Sequence, residues 1–290
     1  MSQPLTQSPD ASEPHAQEAP ARESQVTRRR LHRLQVEAFG NTDTGRERDR
    51  NEDSFAVVHQ HGLFMVADGV GGALAGDVAS KMALECVREA FENTDMTWPM
   101  AAGDEHRAPG ARLMHAGLQR ANTRIRGVAS CEPDKAGMGT TFAAVLALAD
   151  RVVIMHVGDS RVYRLRGRRF EQLTEDHNLL NEFIHAGLWD PEDDVANFPH
   201  PNPHAITRAV GGEDELEVDA RIDAPQRGDV YLVCSDGLYG MVDDRTLKSV
   251  LLQHQDLTLA VARLIELANE NGGLDNITAV LVRITGVSGQ

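Results

Sequence analysis

Residues 63–72, LFMVADGVGG, read as a short apolar strand that ends on a carboxylate and turns away through glycine. An apolar run this short, bounded by turn formers, fits a buried strand, because a helix needs about ten residues or more. The same arrangement returns along the chain. Asp159 closes the run 152–158, VVIMHVG, and Asp236 closes 230–235, VYLVCS, just before Gly237. Asp275 stands ahead of a strand that starts at Ile277, and Glu52-Asp53 open the strand Ser54 to Val58. Each acid falls at the rim of a buried strand, where a rigid sheet fixes its place.

Carboxylates brought together repel and raise one another's pKa, and a divalent cation relieves that strain. Donors made only of oxygen suit Mg²⁺ or Mn²⁺, hard ions that keep several waters. Glycine beside Asp68 and Asp236 lets backbone and metal approach without a Cβ. Taken singly, Asp-Gly after a strand also reads as a turn, so spacing alone leaves open whether the five sites meet.

Working outward, Val78, Met82 and Cys86 lie four apart and mark a helix over about 75–92. A second helix, about 109–129, carries Met114, Leu118, Ala121, Ile125 and Val128 on one face. Further strands are expected at 140–148, 152–157, 161–166, 169–173, 206–210, 216–222 and 277–284. A short helix opens near Leu179, and two more follow at 245–253 and 257–270. Strands come in runs and helices in pairs, without regular βαβ alternation, which indicates an α+β fold with mainly antiparallel sheet. The stretch 176–206 ends in DPEDDVANFPHPNPH, too rich in Pro and Asp for a core element, and loops this long in a domain are commonly functional. Residues 1–26, rich in Pro, Ser, Gln, Ala and Glu, read as a disordered tail closed by Arg28-Arg29-Arg30.

The 290 residues carry 29 Lys+Arg against 44 Asp+Glu, a net charge of −15, which argues against nonspecific nucleic-acid or anionic-membrane partners. No apolar run approaches the ~18 residues of a transmembrane helix, and the N-terminal stretch shows no secretory h-region. Cys86, Cys131 and Cys234 form no CxxC pair, which points to a reducing, cytoplasmic setting without disulfides or thiolate zinc.

The segments GRERDRNEDSF, MVADGVGG, MGTTF, VGDSRVYRL, LTEDHNLL, ITRAVG, CSDGLYGMV and DNITAVLV resemble, in order, the motif series of PP2C-type (PPM) metal-dependent serine/threonine protein phosphatases, most closely the bacterial branch. The likeness runs from Gly40 to Arg283. It implies a tail over 1–30 and one phosphatase domain over 31–286, with a flap at about 176–206. It also implies a four-layer α/β/β/α sandwich of two mainly antiparallel sheets, with two Mn²⁺ or Mg²⁺ ions at one end.

Carried over by motif, Asp68 resembles the carboxylate that bridges both metals, and Gly69 the residue that gives its carbonyl. Asp236 and Asp275 resemble direct ligands of the first metal. Glu52 and Asp53 resemble acids that hold metal-bound waters, and Asp159 one that, with Asp236, supports a weaker third metal. Arg48 resembles the arginine that grips the substrate phosphate, a task its bidentate fork suits and lysine does not.

The implied activity is hydrolysis of phosphoserine and phosphothreonine in proteins by a metal-activated water, opposing a bacterial serine/threonine kinase and its substrates. The alternative is a non-catalytic phosphoprotein-binding module of the same fold. Two departures stand out. Val70 occupies the place of the histidine of eukaryotic members, which leaves the leaving-group proton to a metal-bound water, and PHPNPHAITRAVG is irregular for the flap. His156, Cys234, Thr140 and Thr141 read as structural, and Trp189 as a flap packing residue or a substrate contact. The prolines around His200 and His204 prevent a helix from presenting the two together.

Overall fold

In the computed structural model, which describes residues 34–71, 75–93 and 109–286, the run Leu63–Ala67 is a strand with all five side chains buried. The expected tail 1–30, with Arg28–Arg30, and also Gly72 and Leu74 lie outside the described residues. In chain order come β1 (Gln35–Asp43), β2 (Ser54–Val58), β3 (Leu63–Ala67), β4 (Gly69–Val70), α1 (Gly76–Glu92) and α2 (Pro109–Cys131). Next are β5 (Gly139–Thr140), β6 (Phe142–Ala147), β7 (Val152–Val157), β8 (Arg161–Arg166), β9 (Arg169–Gln172) and α3 (Leu179–His185). The chain ends with β10 (Asp219–Asp223), β11 (Val230–Cys234), α4 (Asp236–Tyr239), α5 (Asp244–Gln253), α6 (Leu257–Glu270) and β12 (Ile277–Gly286).

Two five-stranded sheets form, ordered β1-β12-β11-β8-β9 and β10-β7-β6-β3-β2. Their strand pairs are all antiparallel. Side chains alternate between faces along each strand, and this alternation sorts the core into three slabs. Leu63, Met65, Phe142, Ala144, Val153 and Met155 face α1 and α2. Phe64, Val66, Val145 and Ile154 meet Val162, Tyr231, Val233 and Val282 between the sheets. Leu232, Cys234, Ala279 and Leu281 face α5 and α6. This is the expected α/β/β/α sandwich.

Asp243 and Asp256 cap α5 and α6 through the amides of Thr246, Thr258 and Leu259, which lowers both carboxylate pKa values. α1 has no such cap in its own sequence, and the Glu52 carboxylate accepts from its first amide, Gly76 N–H. A buried ion network ties the sheets at one end, where Arg164 of β8 bonds Asp223 of β10 and Tyr231 Oη donates to the same carboxylate. No helix among the described residues is long and apolar enough to cross a membrane.

Three expected strands differ. The run 140–148 is split at Thr141: β5 pairs with β4, while β6 pairs with β3 and β7. The break arises because Thr141 turns its amide and hydroxyl to Asp68 instead of a strand partner. No strand forms at 206–210, which makes only two isolated bridges, Asn178 to Ile206 and Thr140 to Val210. The strand expected at 216–222 is β10, shifted to 219–223 because its register is set by β7.

Register also gathers the acids. Ser54 pairs with Ala67, Phe142 with Val157, Cys234 with both Ala279 and Arg161, and Asp43 with Ile277. The start of β2, the end of β3, the end of β7, the end of β11 and the start of β12 therefore share one rim, opposite the Arg164 network.

Candidate active site

Asp68 leaves β3 with both of its peptide groups pinned. Its N–H donates to Thr141 Oγ1 at 3.0 Å, and its carbonyl accepts from Thr140 Oγ1 and Thr141 N–H, each at 2.8 Å. Thr141 Oγ1 in turn shares a hydrogen bond of 2.7 Å with Ser160 Oγ, next to Asp159. Gly69 must be glycine, since a Cβ there would lie 2.2 Å from the Gly76 carbonyl oxygen.

Asp53 is held by Ser235 Oγ at 2.7 Å and Thr278 Oγ1 at 2.6 Å, both donating to its Oδ2. Asp236 begins α4 and turns its carboxylate back on the Gly237 amide. A Cβ on Gly237 would stand 2.1 Å from the Asn276 carbonyl oxygen, so glycine alone lets α4 approach the start of β12. Arg48 Nη2 donates to Asp275 Oδ2 at 2.6 Å.

These groups border a cavity of about 810 Å³ whose wall includes Arg48, Glu52, Asp68, Gly69, Asp236 and Asp275. Val70 and Ile206 line it too. Asp159 lies outside it, in a neighbouring cavity of about 530 Å³ that shares Asp236 and Asp275 and takes His204 from the segment 176–206. Asp53 lines neither cavity and is buried behind Asp68, with 5% of its surface exposed.

The electrostatics follow from carboxylates crowded at a partly buried rim. Asp68 is raised well above the usual carboxylate range, first by burial and then by the charges of Asp53, Asp236, Asp159 and Asp275. Asp53 is pushed up to about 7 by burial, against which the Thr278 and Ser235 hydroxyls act. Asp159 also reaches about 7, through burial and the Asp236 charge. Burial and Asp275 raise Asp236, and burial and Asp77 raise Glu52. The Asp275 hydrogen bond raises Arg48.

Oδ1 of Asp53, of Asp159 and of Asp236 is buried with no hydrogen-bond partner, a costly condition. Such a cluster needs protons or cations, and its all-oxygen donors fit hard divalent ions. The acids do not close into a tight cage for one bare ion. That suits ions that keep part of their water shell and are shared between carboxylates.

Among the described residues, His156, His177 and Asp219 are the trio of donor side chains that does lie within 4.8 Å of one another. Their chemistry is wrong for a metal. His177 Nδ1 accepts from Gly158 N–H at 3.1 Å, so its proton sits on Nε2, 3.5 Å from Asp219 and 3.5 Å from the Arg208 guanidinium. The rings stack at 4.6 Å, and burial keeps both neutral, His177 down to about 4. His177 clasps the turn that carries Asp159, because its own N–H also donates to the Gly158 carbonyl.

All the acids expected from the sequence thus stand on one rim, six of the marked residues on one cavity, with Asp53 behind it and Asp159 beyond Asp236. Thr140 and Thr141 are structural as read, though their grip on the Asp68 backbone was missed. Ser235, Thr278 and Asn276 were also missed, and so was the support of Asp159 by Arg161 and Tyr239. Tyr239 Oη donates to the Asp159 carbonyl, and Arg161 lies over the Tyr239 ring at 3.6 Å while forking onto Asp176. The signal available was polar residues at the ends of otherwise apolar strands.

Comparison with known proteins agrees with this architecture. The protein phosphatase 2C family profile matches residues 44–281. The serine/threonine phosphatase stp of Listeria welshimeri is 37% identical over 244 residues, 83% of this chain and 93% of that protein. The solved S. agalactiae serine/threonine phosphatase is similar at TM-score 0.76 and 34% identity, over 86% of this chain and 100% of the other. The catalytic domain of the phosphatase PstP, solved with two manganese ions, is similar at TM-score 0.70 and 33% identity, over 86% of this chain and 98% of the other. With its acids on one rim of a four-layer sandwich and its sequence matched across that rim, the chain belongs to the protein phosphatase 2C family.

Proposed function

We propose that this chain, a metal-dependent serine/threonine protein phosphatase, hydrolyses phosphoserine and phosphothreonine at the rim cavity. The observation that carries the reading is the convergence of Asp68, Asp236 and Asp275 on one cavity beside Arg48. Asp68, the Gly69 carbonyl, Asp236 and Asp275 would hold two Mn²⁺ or Mg²⁺ ions, Glu52 and Asp53 would support them, and Asp159 with Asp236 would take a weaker third. When bound, such ions supply Lewis acidity toward phosphoryl oxygens and make water acidic enough to serve as nucleophile near neutral pH.

The chain's residues supply the rest. Arg48 exchanges Asp275 for two phosphate oxygens, a bidentate contact that orients the phosphorus for in-line attack. Asp68 and Asp236 keep their places because backbone and hydroxyl contacts fix them before substrate arrives. Val70 has no proton to give the leaving alkoxide. The segment 176–206 reaches both cavities through His204 and, at its end, Ile206, which supports its reading as a flap that shapes substrate choice.

The domain is read as 31–286 behind a tail of 1–30. Likeness to bacterial phosphatases supports opposition to a serine/threonine kinase, and three free cysteines agree with a cytoplasmic setting. A purely phosphoprotein-binding role is not favoured, since every candidate metal acid is present.

The test is turnover of p-nitrophenyl phosphate and a phosphothreonine peptide with Mn²⁺. Asp68→Asn and Asp236→Asn should each lower kcat/KM by ~10²-fold or more, the scale of losing one transition-state contact. Full turnover in EDTA, or binding of phosphopeptide without turnover in Mn²⁺, would overturn the reading.

A further inference from the structure

The cavity's arginines, Arg48 and Arg50, sit on the loop between β1 and β2, residues 44–53, which has no regular structure of its own. Its first part is tied to the segment before β12: the amides of Arg46 and Glu47 donate to the Gly273 carbonyl, and Gly45 N–H donates to Asp43 Oδ1. The second part, after Glu47, carries Arg48 and Arg50 and leans on a different residue. Asn276 Nδ2 donates to the Thr44 carbonyl at 2.8 Å and to the Arg50 carbonyl at 2.9 Å, while its Oδ1 accepts from Glu52 N–H at 2.7 Å.

Both donors of the amide and its acceptor are thereby used on one loop. Two carbonyls on one side and an N–H on the other fix the orientation of the amide. Asn276 itself cannot drift. It is 5% exposed, its N–H donates to Asp275 Oδ1, and Gly237 packs against its carbonyl.

We propose that Asn276 is a positioning residue for phosphate recognition, one that binds neither metal nor phosphate. By tying both ends of the Thr44–Glu52 segment to the residue next to Asp275, it sets where Arg48 presents its guanidinium. The distance from Arg48 to the acid cluster is then fixed by the backbone, and the flexible arginine side chain loses less freedom when it takes the phosphate. Removing the amide frees the second part of the loop but leaves Asp275, Asp236 and the tie to Gly273 in place. The inference rests on Arg48 as the phosphate arginine, so Arg48→Ala is measured beside it.

The experiment uses the full chain with saturating Mn²⁺ and reads three quantities: KM for a phosphothreonine peptide, inhibition by inorganic phosphate, and Mn²⁺ affinity by calorimetry. Asn276→Ala should raise KM and weaken phosphate inhibition about five- to tenfold, with kcat reduced less, because positioning entropy of one side chain is at stake. Mn²⁺ affinity should fall less than about twofold, since the substitution keeps the backbone bond to Asp275 and, of the contacts to the candidate acids, removes only the side-chain bond to the Glu52 amide, leaving both carboxylates intact. In the Arg48→Ala background the same substitution should change phosphate inhibition less than about twofold, since coupled residues are not additive.

Where Asn276→Ala does not fold, Asn276→Ser, which cannot reach both carbonyls at once, carries the same measurements. An equal effect of the substitution with and without Arg48, or a loss of Mn²⁺ affinity matching the loss of phosphate affinity, would overturn the proposal. If Arg48→Ala leaves phosphate inhibition intact, the reading of the site itself fails instead.

Discussion

Asp68 owes its position to two uncharged neighbours. The Thr141 hydroxyl accepts the Asp68 N–H and is itself completed by Ser160, and both hydroxyl residues are buried. Thr141→Val keeps the shape and removes the acceptor, leaving a buried N–H unsatisfied at a cost of about 1–3 kcal/mol. Denaturant unfolding should show that loss, and calorimetry should show weaker Mn²⁺ binding. Thr141→Ser, which retains the oxygen, should restore both, and a valine variant as stable and as tight for Mn²⁺ as the parent would refute the role. At this scale the acids were legible in the sequence because each follows or precedes a buried strand, where a charged residue needs a reason. Their partners were less so, since a Ser or Thr at a strand end is common whatever it bonds. Glu52 and Asp53 show the difference within one dipeptide. Adjacent residues of an extended chain point to opposite sides, so Glu52 faces the cavity while Asp53 is turned inward onto Ser235 and Thr278. Reading the two as a like pair overlooked that alternation.

Strands β3, β6 and β11 were visible as unbroken apolar runs and β7 as one interrupted only by His156, a pattern more usual for parallel sheets. Here two helical layers cover an antiparallel pair of sheets, so both faces of the central strands are dry. The boundaries that failed, at Thr141 and at 206–210, are places where a side chain or a single bridge replaced a ladder, and no periodicity records that. The segment 176–206, proposed as a flap, is an element of another kind. Phe198 meets Phe183 at 5.0 Å and Trp189 edge-on at 5.1 Å, a small aromatic cluster apart from the three core slabs. The segment's two ends are joined by the Leu179 and Leu180 amides, which donate to the Ala205 and Pro203 carbonyls, and by Thr207 N–H to the His177 carbonyl. Trp189 thus packs within this segment, against Phe198. Phe198→Ala should therefore open the flap locally: amide exchange over 179–198 should speed up about tenfold or more, while the melting temperature moves by no more than about 2 °C, because local openings lie far below the global unfolding free energy. KM for a phosphoprotein should change several-fold and KM for p-nitrophenyl phosphate should not. A drop in melting temperature as large as that of Leu232→Ala would mean that the flap unfolds with the core.

Across the whole molecule, folding brings together acids that would separate freely in the unfolded chain, and this sets a pH dependence with a definite sign. Folded Asp53 and Asp159 keep their protons up to about 7, whereas an unfolded aspartate releases its proton near 3.9. Between those limits the folded state binds more protons, so raising the pH favours unfolding of the metal-free protein. Asp68, Asp236 and Glu52, all raised, act in the same direction. His177, lowered to about 4, and His156, also lowered, act oppositely up to about pH 6.5, because there the unfolded chain holds the extra proton. Stability in EDTA is therefore a sum of opposed trends and a poor test by itself. The increment produced by Mn²⁺ is a better one. His177 holds the turn before Asp159, His156 bonds the Glu175 carbonyl, and neither would bind the ion, so their contribution cancels between samples with and without metal. What remains is competition between protons and cations for the same carboxylates, and ligand binding to the folded state alone raises its stability. The rise in melting temperature from EDTA to saturating Mn²⁺ should thus grow steadily from pH 5.5 to pH 7.5, and Asp68→Asn should flatten that growth. An increment that is constant or falls with pH would mean that the rim carboxylates do not exchange protons for metal.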